Sequence, residues 1–318
     1  METSPEVHVV ALPMPVRFRG ITVRELALVR GPAGWGEFCP FVEYDDAESR
    51  PWWACAREAA QDGWPAPVRD HVEVNATVPA VDAEHAHRIV TASGARTAKV
   101  KVAERGQDLA ADLARVEAVR DALGPGGAVR VDANGGWSTD AAVDAVRALD
   151  RAAGGLEYVE QPCATVEELA AVRRRVDVPV AADESIRRAA DPFRVVAAGA
   201  ADVAVLKVAP LGGVAAALAI AEAIGLPCVV SSAVESSVGL AAGLALAGAL
   251  PSLPHACGLG TTSLLGGDVV ADPFVPVDGR LPVPRRPPEP DPGRLARYAA
   301  APERDAWWRE RVARVQAG

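Results

Sequence analysis

The sequence predicts an α/β chain: a (β/α)8-type barrel with an N-terminal α+β capping domain that the C-terminal tail completes. Three observations predict it. From Val72 onward, short Val-rich runs alternate with amphipathic stretches, the pattern of parallel strands buried on both faces and joined by helices. Several of those runs end in an ionisable residue: Lys101, Asp132, Glu160, Asp183 and Lys207, about 23–31 residues apart, which is the length of one strand–helix–strand unit. The opening and closing segments depart from this rhythm.

Taken in order, residues 1–70 read as a small antiparallel unit. HVVALPM and ITVRELALV are strands joined by the basic turn VRFRG, and WGEFCPF is a third strand after the break at Gly31 and Pro32. An Ala- and Trp-rich helix is expected around Asp46–Gln61. Residues 71–270 carry the barrel. Its strands are VEVNATV, AKVKV, AVRVDAN, LEYVE, VPVAAD, VAVLKV, PCVVSS and a weak eighth near HACGLGT. Helices such as DLAADLARVEAVRDALG lie between them, and Ser138 and Thr165 stand where helix N-caps belong. Residues 271–318 begin Pro-rich and end in a charged helix bearing Trp307 and Trp308. Two adjacent indoles favour docking onto the cap over a solvated tail.

Composition narrows the function. The chain has 318 residues, 50% of them hydrophobic, and a net charge of −9. Nucleic acid and anionic membrane are therefore unsuited partners; a small-molecule carboxylate is expected from the chemistry of the strand-end residues below. No run of 18 or so apolar residues is present. The five cysteines (Cys39, Cys55, Cys163, Cys228, Cys257) have no metal-type spacing, which fits a reducing cytoplasm. The five histidines show no ligand spacing, and oligomeric state is not legible.

The chemistry starts from Lys99 and Lys101. Residues i and i+2 of a strand share a face. Two ammonium groups side by side repel, and burial adds a cost to each charge. Such a pair is expected where a lysine serves as a base, with Lys101 the base and Lys99 tuning it. Asp132, Glu160 and Asp183 then bring three carboxylates to the barrel's C-terminal face, where barrels of this type do their chemistry. Three carboxylates resist ionising together unless a hard cation joins them. All-oxygen ligation suits Mg²⁺, with Mn²⁺ as the alternative. A cation on a substrate carboxylate makes the neighbouring C–H more acidic, because the enediolate formed has two oxygens for it to hold. Lys207, from the opposite side of the mouth, is the second acid/base candidate. Two other readings stay open from the residues: a Schiff-base lyase using Lys207 without a metal, and a non-catalytic binding barrel.

At KVK, DAN (132–134), EQP (160–162), ADES (182–185) and the lysine of VLKVAP, the chain resembles the enolase superfamily and its muconate-lactonising-enzyme-like subgroup, over its whole length. The resemblance implies Asp132, Glu160 and Asp183 as Mg²⁺ ligands and Lys101 and Lys207 as acid/base residues. The subgroup includes o-succinylbenzoate synthases, N-succinylamino acid racemases, dipeptide epimerases and lactonising enzymes. The abbreviated cap, VVSSAVESSVGLAAG and VRVDANGGW are similar to the synthases. GLGTTSLL lacks the Asp-x-Asp that epimerases carry at the eighth strand. The resemblance therefore implies the dehydration that yields 2-succinylbenzoate in menaquinone biosynthesis, with racemase or epimerase activity as the alternative. It implies Ser231 near the succinyl carboxylate and places Arg130 on the substrate face with Asn134. VRFRG falls where the family has a substrate-facing loop, so Arg19, with Arg17, is a further candidate for an anionic substrate.

Overall fold

Three strands and one helix open the chain. In the computed structural model, which describes residues 6–18, 20–187 and 192–317, β1 (Val7–Phe18), β2 (Ile21–Gly31) and β3 (Gly34–Phe38) form an antiparallel sheet in that order. Helix α1 (Asp46–Gln61) packs on it, started by the Asp45 carboxylate, which accepts from the Glu48 N–H at 2.8 Å. The β1–β2 register shifts between Pro13 and Phe18, because proline offers no N–H to the ladder.

The segment VEVNATV is two strands rather than the single one expected. β4 (His71–Glu73) leaves the barrel to pair with a late strand, and only β5 (Ala76–Val78) joins the parallel sheet. Next come α2 (Ala83–Ser93), β6 (Thr97–Lys101), α3 (Leu109–Leu123), β7 (Ala128–Asp132), α4 (Thr139–Ala153), β8 (Tyr158–Glu160), α5 (Val166–Arg173) and β9 (Val180–Ala182). The short helices α6 (Glu184–Arg187) and α7 (Arg194–Ala197) precede β10 (Val203–Lys207), α8 (Val214–Ile224), β11 (Cys228–Ser231) and α9 (Ser237–Ala249). β5 to β11 form one parallel sheet in sequence order. Its ends are joined by the expected weak eighth stave, reduced to two bridging residues: Cys257 pairs with Val74 and Gly258 with Ser231. Gly258 is required there, since a β-carbon would lie 2.6 Å from the Ser231 hydroxyl oxygen.

Local signals match the helix starts. Thr165 and Glu168 form a reciprocal capping box, whereas Ser138 occupies the N-cap of α4 without a side-chain hydrogen bond. Inside the barrel, Tyr158, Ala181, Val203, Val205 and Val229 form an apolar plug below the mouth.

After the 3-10 turn Thr261–Leu264, β12 (Arg280–Pro282) pairs with β4, and α10 (Pro292–Arg297) leads into α11 (Pro302–Ala317). The last helix docks on the cap. Trp308 is fully buried, stands edge-on to Phe38, and donates through Nε1 to Glu25 at 2.9 Å. Arg311 is also buried and donates to the Phe41 carbonyl at 3.1 Å. Cap and tail are therefore one packed unit over the barrel.

Candidate active site

Register explains why the strand-end residues meet. Lys101 lies opposite Asp132, and Asp132 opposite Glu160, so β6, β7 and β8 present one row of three ionisable side chains. One layer deeper, Lys99, Arg130 and Tyr158 form the next row. Across the mouth, Lys207 lies opposite Ser231, and Ser231 opposite Gly258.

The side chains interlock. Lys99 donates to Asp132 Oδ2 at 3.0 Å and to Glu160 Oε1 at 2.7 Å. Lys101 donates to the same Asp132 oxygen at 2.5 Å and to the Asn134 amide oxygen at 2.6 Å. Lys207 donates to Asp183 Oδ2 at 2.6 Å, while Arg187 takes Asp183 Oδ1 at 2.8 Å. The three carboxylates are no more than 1% exposed.

Charge follows from this geometry. Burial opposes a charge on Asp132 and on Asp183. The ammonium groups of Lys101 and Lys99 outweigh it for the first, and Arg187 with Lys207 for the second, so both carboxyls sit well below the usual range. Glu160 is pushed up to about 7, by burial first and by the Asp132 charge second. Burial pulls Lys207 downward. Lys99 corrects an expectation. Burial favours its neutral amine, but Asp132 and Glu160 prevail and hold it well above the usual lysine value. The like charge on Lys101 is offset because both lysines share one carboxylate.

A second correction concerns convergence. Among the described residues no three Asp, Glu, His or Cys side chains close on one point; the ammonium groups stand between the carboxylates. The donor set nevertheless fits a hard divalent cation. It is all oxygen and buried, and Glu160 Oε2 is enclosed without a hydrogen-bond partner. An oxygen so placed, on a carboxyl whose ionisation is opposed, has the chemistry of a metal ligand.

The substrate-side candidates fare unevenly. Ser231 and Asn134 line the pocket with the three lysines. Arg130 does not. It shares the expected face with Asp132 but lies a layer below, where it donates to Glu157 at 2.5 Å, Tyr158 at 3.1 Å and the Ala256 carbonyl at 2.7 Å. It belongs to the barrel floor, together with His255, whose ring is 2.7 Å from Glu157. Arg19 lies outside the described residues. Arg17 is exposed and donates to the Gly20 carbonyl at 3.2 Å. Phe18, between them, lines the pocket, with Lys101 Nζ 5.6 Å from its ring centre. Sequence reading missed Phe18, because the register shift after Pro13 scrambles the alternation that assigns faces. It also missed Arg187, which no strand-end pattern marks.

Backbone strain gathers at the same end. Ala103, Asn134, Gln161 and Val234 all have positive φ and follow β6, β7, β8 and β11. Such residues cluster where surrounding structure over-determines them, often at functional sites. The free space among the pocket side chains is about 30 Å³. Larger hollows, of about 590 Å³ beneath the barrel and about 320 Å³ beside α2, hold none of the strand-end ionisable residues.

Known proteins agree with this architecture. Residues 9–60 match the family described as Enolase N-terminal domain-like and residues 81–287 that described as Enolase C-terminal domain-like. An o-succinylbenzoate synthase from Thermobifida fusca is 65% identical over 307 residues, 96% of this chain and 95% of that one. Another from Mycolicibacterium smegmatis is 64% identical over 307 residues, 96% and 94% of the two chains. The structure of muconate lactonizing enzyme from Pseudomonas fluorescens superposes with a TM-score of 0.79 at 25% identity, covering 93% of this chain and 98% of that one. The chain belongs to the enolase superfamily and, within it, to the family of the o-succinylbenzoate synthases.

Proposed function

We propose that the chain dehydrates 2-succinyl-6-hydroxy-2,4-cyclohexadiene-1-carboxylate to 2-succinylbenzoate, with Lys101 as the base and Lys207 facing it across the mouth. The observation that supports this most is the row Lys101–Asp132–Glu160 set opposite Lys207, in a chain 65% identical to a synthase over nearly its full length.

Asp132, Glu160 and Asp183 would hold a divalent cation, Mg²⁺ in this reading, for the reasons of donor type and burial given above. When bound, that cation would supply Lewis acidity to the substrate carboxylate.

The residues of the chain do the rest. Lys101, as the free amine, accepts the proton alpha to the ring carboxylate. The Lys207 ammonium supplies positive charge to the anion from the opposite side. Lys101 then returns the proton to the hydroxyl, which leaves as water as the C–O bond breaks and the ring becomes aromatic. One lysine serves both steps, so hydrogen and hydroxyl leave from the same face. Lys99 holds Asp132 and Glu160 apart and in place. Asn134 orients the Lys101 amine.

An ultraviolet assay of 2-succinylbenzoate formation tests the reading. Borohydride trapping of an adduct on Lys207, with activity retained in EDTA, would support the imine alternative instead.

A further inference from the structure

The loop between β11 and α9 walls the pocket through Ser231, Ser232, Ala233 and Val234, and its conformation is costly. Val234 has φ +64°, a region that β-branched residues avoid. Asn134 N–H donates to Asp132 Oδ1 at 3.1 Å and Val234 N–H to Ser232 Oγ at 2.9 Å, each two residues back. The Val234 carbonyl is held in addition from the cap.

The barrel side holds the ends of the segment, with Ser232 N–H donating to the Gly258 carbonyl at 3.1 Å and the Ser237 hydroxyl to Asp268 at 2.7 Å, and two cap residues hold its middle. Arg24, on β2, is 2% exposed. Its Nε donates to the Val234 carbonyl at 3.1 Å and its Nη2 to the Ala233 carbonyl at 3.3 Å and to the Cys39 carbonyl. Its guanidinium lies over the Phe41 ring, 4.4 Å from the centre, so the fork has little freedom. Glu37, on β3, is 4% exposed. It accepts from the Ser236 N–H at 3.2 Å, from the Ser236 hydroxyl, and from the Gly239 N–H at 3.1 Å. It thereby fixes the first turn of α9, into which the loop runs. Gly239 makes room for this contact. A β-carbon there would lie 2.7 Å from the Glu37 carboxyl carbon and 2.8 Å from one of its oxygens. Loop-internal bonds, Glu235 accepting from Ala233 N–H at 2.8 Å and Ser232 Oγ accepting from Val234 N–H at 2.9 Å, shape the turn but do not anchor it to the cap.

We propose that Arg24 and Glu37 are positioning residues. They hold the Ser231–Ser236 loop from the cap in its strained form, and so set the fit of substrate in the pocket without touching it. A buried guanidinium and a buried carboxylate spent largely on one loop's backbone and the helix start that follows it are an expensive way to dock two layers. Apolar packing would suffice if docking alone were needed. The kinetic readout rests on the proposed function; the structural readout does not.

The test compares the full chain with Arg24→Met, Arg24→Lys, Glu37→Gln and Gly239→Ala, the last leaving both positioning residues present. Hydrogen exchange is followed across the chain, and KM and kcat are measured for the dehydration with Mg²⁺. The expected result is exchange at residues 232–239 faster by about tenfold or more in Arg24→Met and Gly239→Ala, with α4 unchanged. KM should rise about tenfold, with a smaller loss in kcat, and Arg24→Lys should restore part of it. Exchange unaltered at 232–239, or raised uniformly with KM unchanged, would overturn the proposal in favour of ordinary packing. A wild-type chain that makes no 2-succinylbenzoate would count against the proposed function, and the exchange data would still judge the positioning role.

Discussion

Lys101 Nζ lies 2.5 Å from Asp132 Oδ2, the oxygen that also accepts from Lys99 at 3.0 Å. One carboxylate oxygen thus carries two ammonium groups. A partly buried base candidate therefore has a candidate metal ligand as its hydrogen-bond partner. Asp132 is the contact common to the two proposed roles.

Lys101→Ala should abolish dehydration, by about 10³-fold or more, and leave the fold intact. Circular dichroism with a steady-state assay checks this. Activity near wild type would remove Lys101 from its role.

Asp183→Ala should lose Mg²⁺ affinity by at least about tenfold together with turnover. The variant also leaves the buried Lys207 without its carboxylate partner and Arg187 with the Glu184 carboxylate alone, so a fall in stability is expected as well. Titration calorimetry measures the metal directly, and unchanged affinity would strike Asp183 from the ligand set.

The barrel floor gives a pH prediction. Burial opposes the charge on Glu157, but hydrogen bonds from His255 and Arg130 outweigh it and hold the carboxyl down at about 2, against an ordinary value of 4.5. A depressed carboxylate contributes stability above its unfolded value and loses it as pH falls toward the folded one. Because Glu157 is partly open to water, the contribution is about 1–2 kcal/mol after screening. Urea unfolding at pH 6 and at pH 3 should show wild type losing that much more than Glu157→Gln. Equal losses would mean that the pair is not worth its burial.

Trp308→Ala should destabilise the chain by about 3–5 kcal/mol, the usual range for removing a buried aromatic, since Trp308 fills the seam between α11 and the cap and satisfies Glu25. Chemical denaturation reads the loss. A change below about 1 kcal/mol would mean that the tail contributes little to the cap.

How far the sequence reached depended on range. Lys99, Lys101, Asp132, Glu160, Asp183 and Lys207 were legible because strand parity and repeat spacing are local regularities, and they do meet at one mouth. Arg130 shows the limit of parity, which gives a face but not a depth: two residues below Asp132 is the floor. Phe18 displaced Arg17 because a register shift at proline changes which side chains point inward. The split of VEVNATV into β4 and β5 depends on a partner, Arg280–Pro282, more than two hundred residues away. Arg24 and Glu37 reach the 232–239 segment over a similar separation, and nothing periodic announces such contacts. The charge held on Lys99 is hidden from the sequence for a related reason. Its neighbour in sequence is a like charge, whereas its neighbours in space are two carboxylates.

The most direct measurement is the ultraviolet trace of 2-succinylbenzoate when the purified chain meets the cyclohexadiene substrate, first in EDTA and then with Mg²⁺ restored. The account predicts no product in EDTA and steady formation once Mg²⁺ is added. Product formed at full rate in EDTA, or none under either condition, would contradict it.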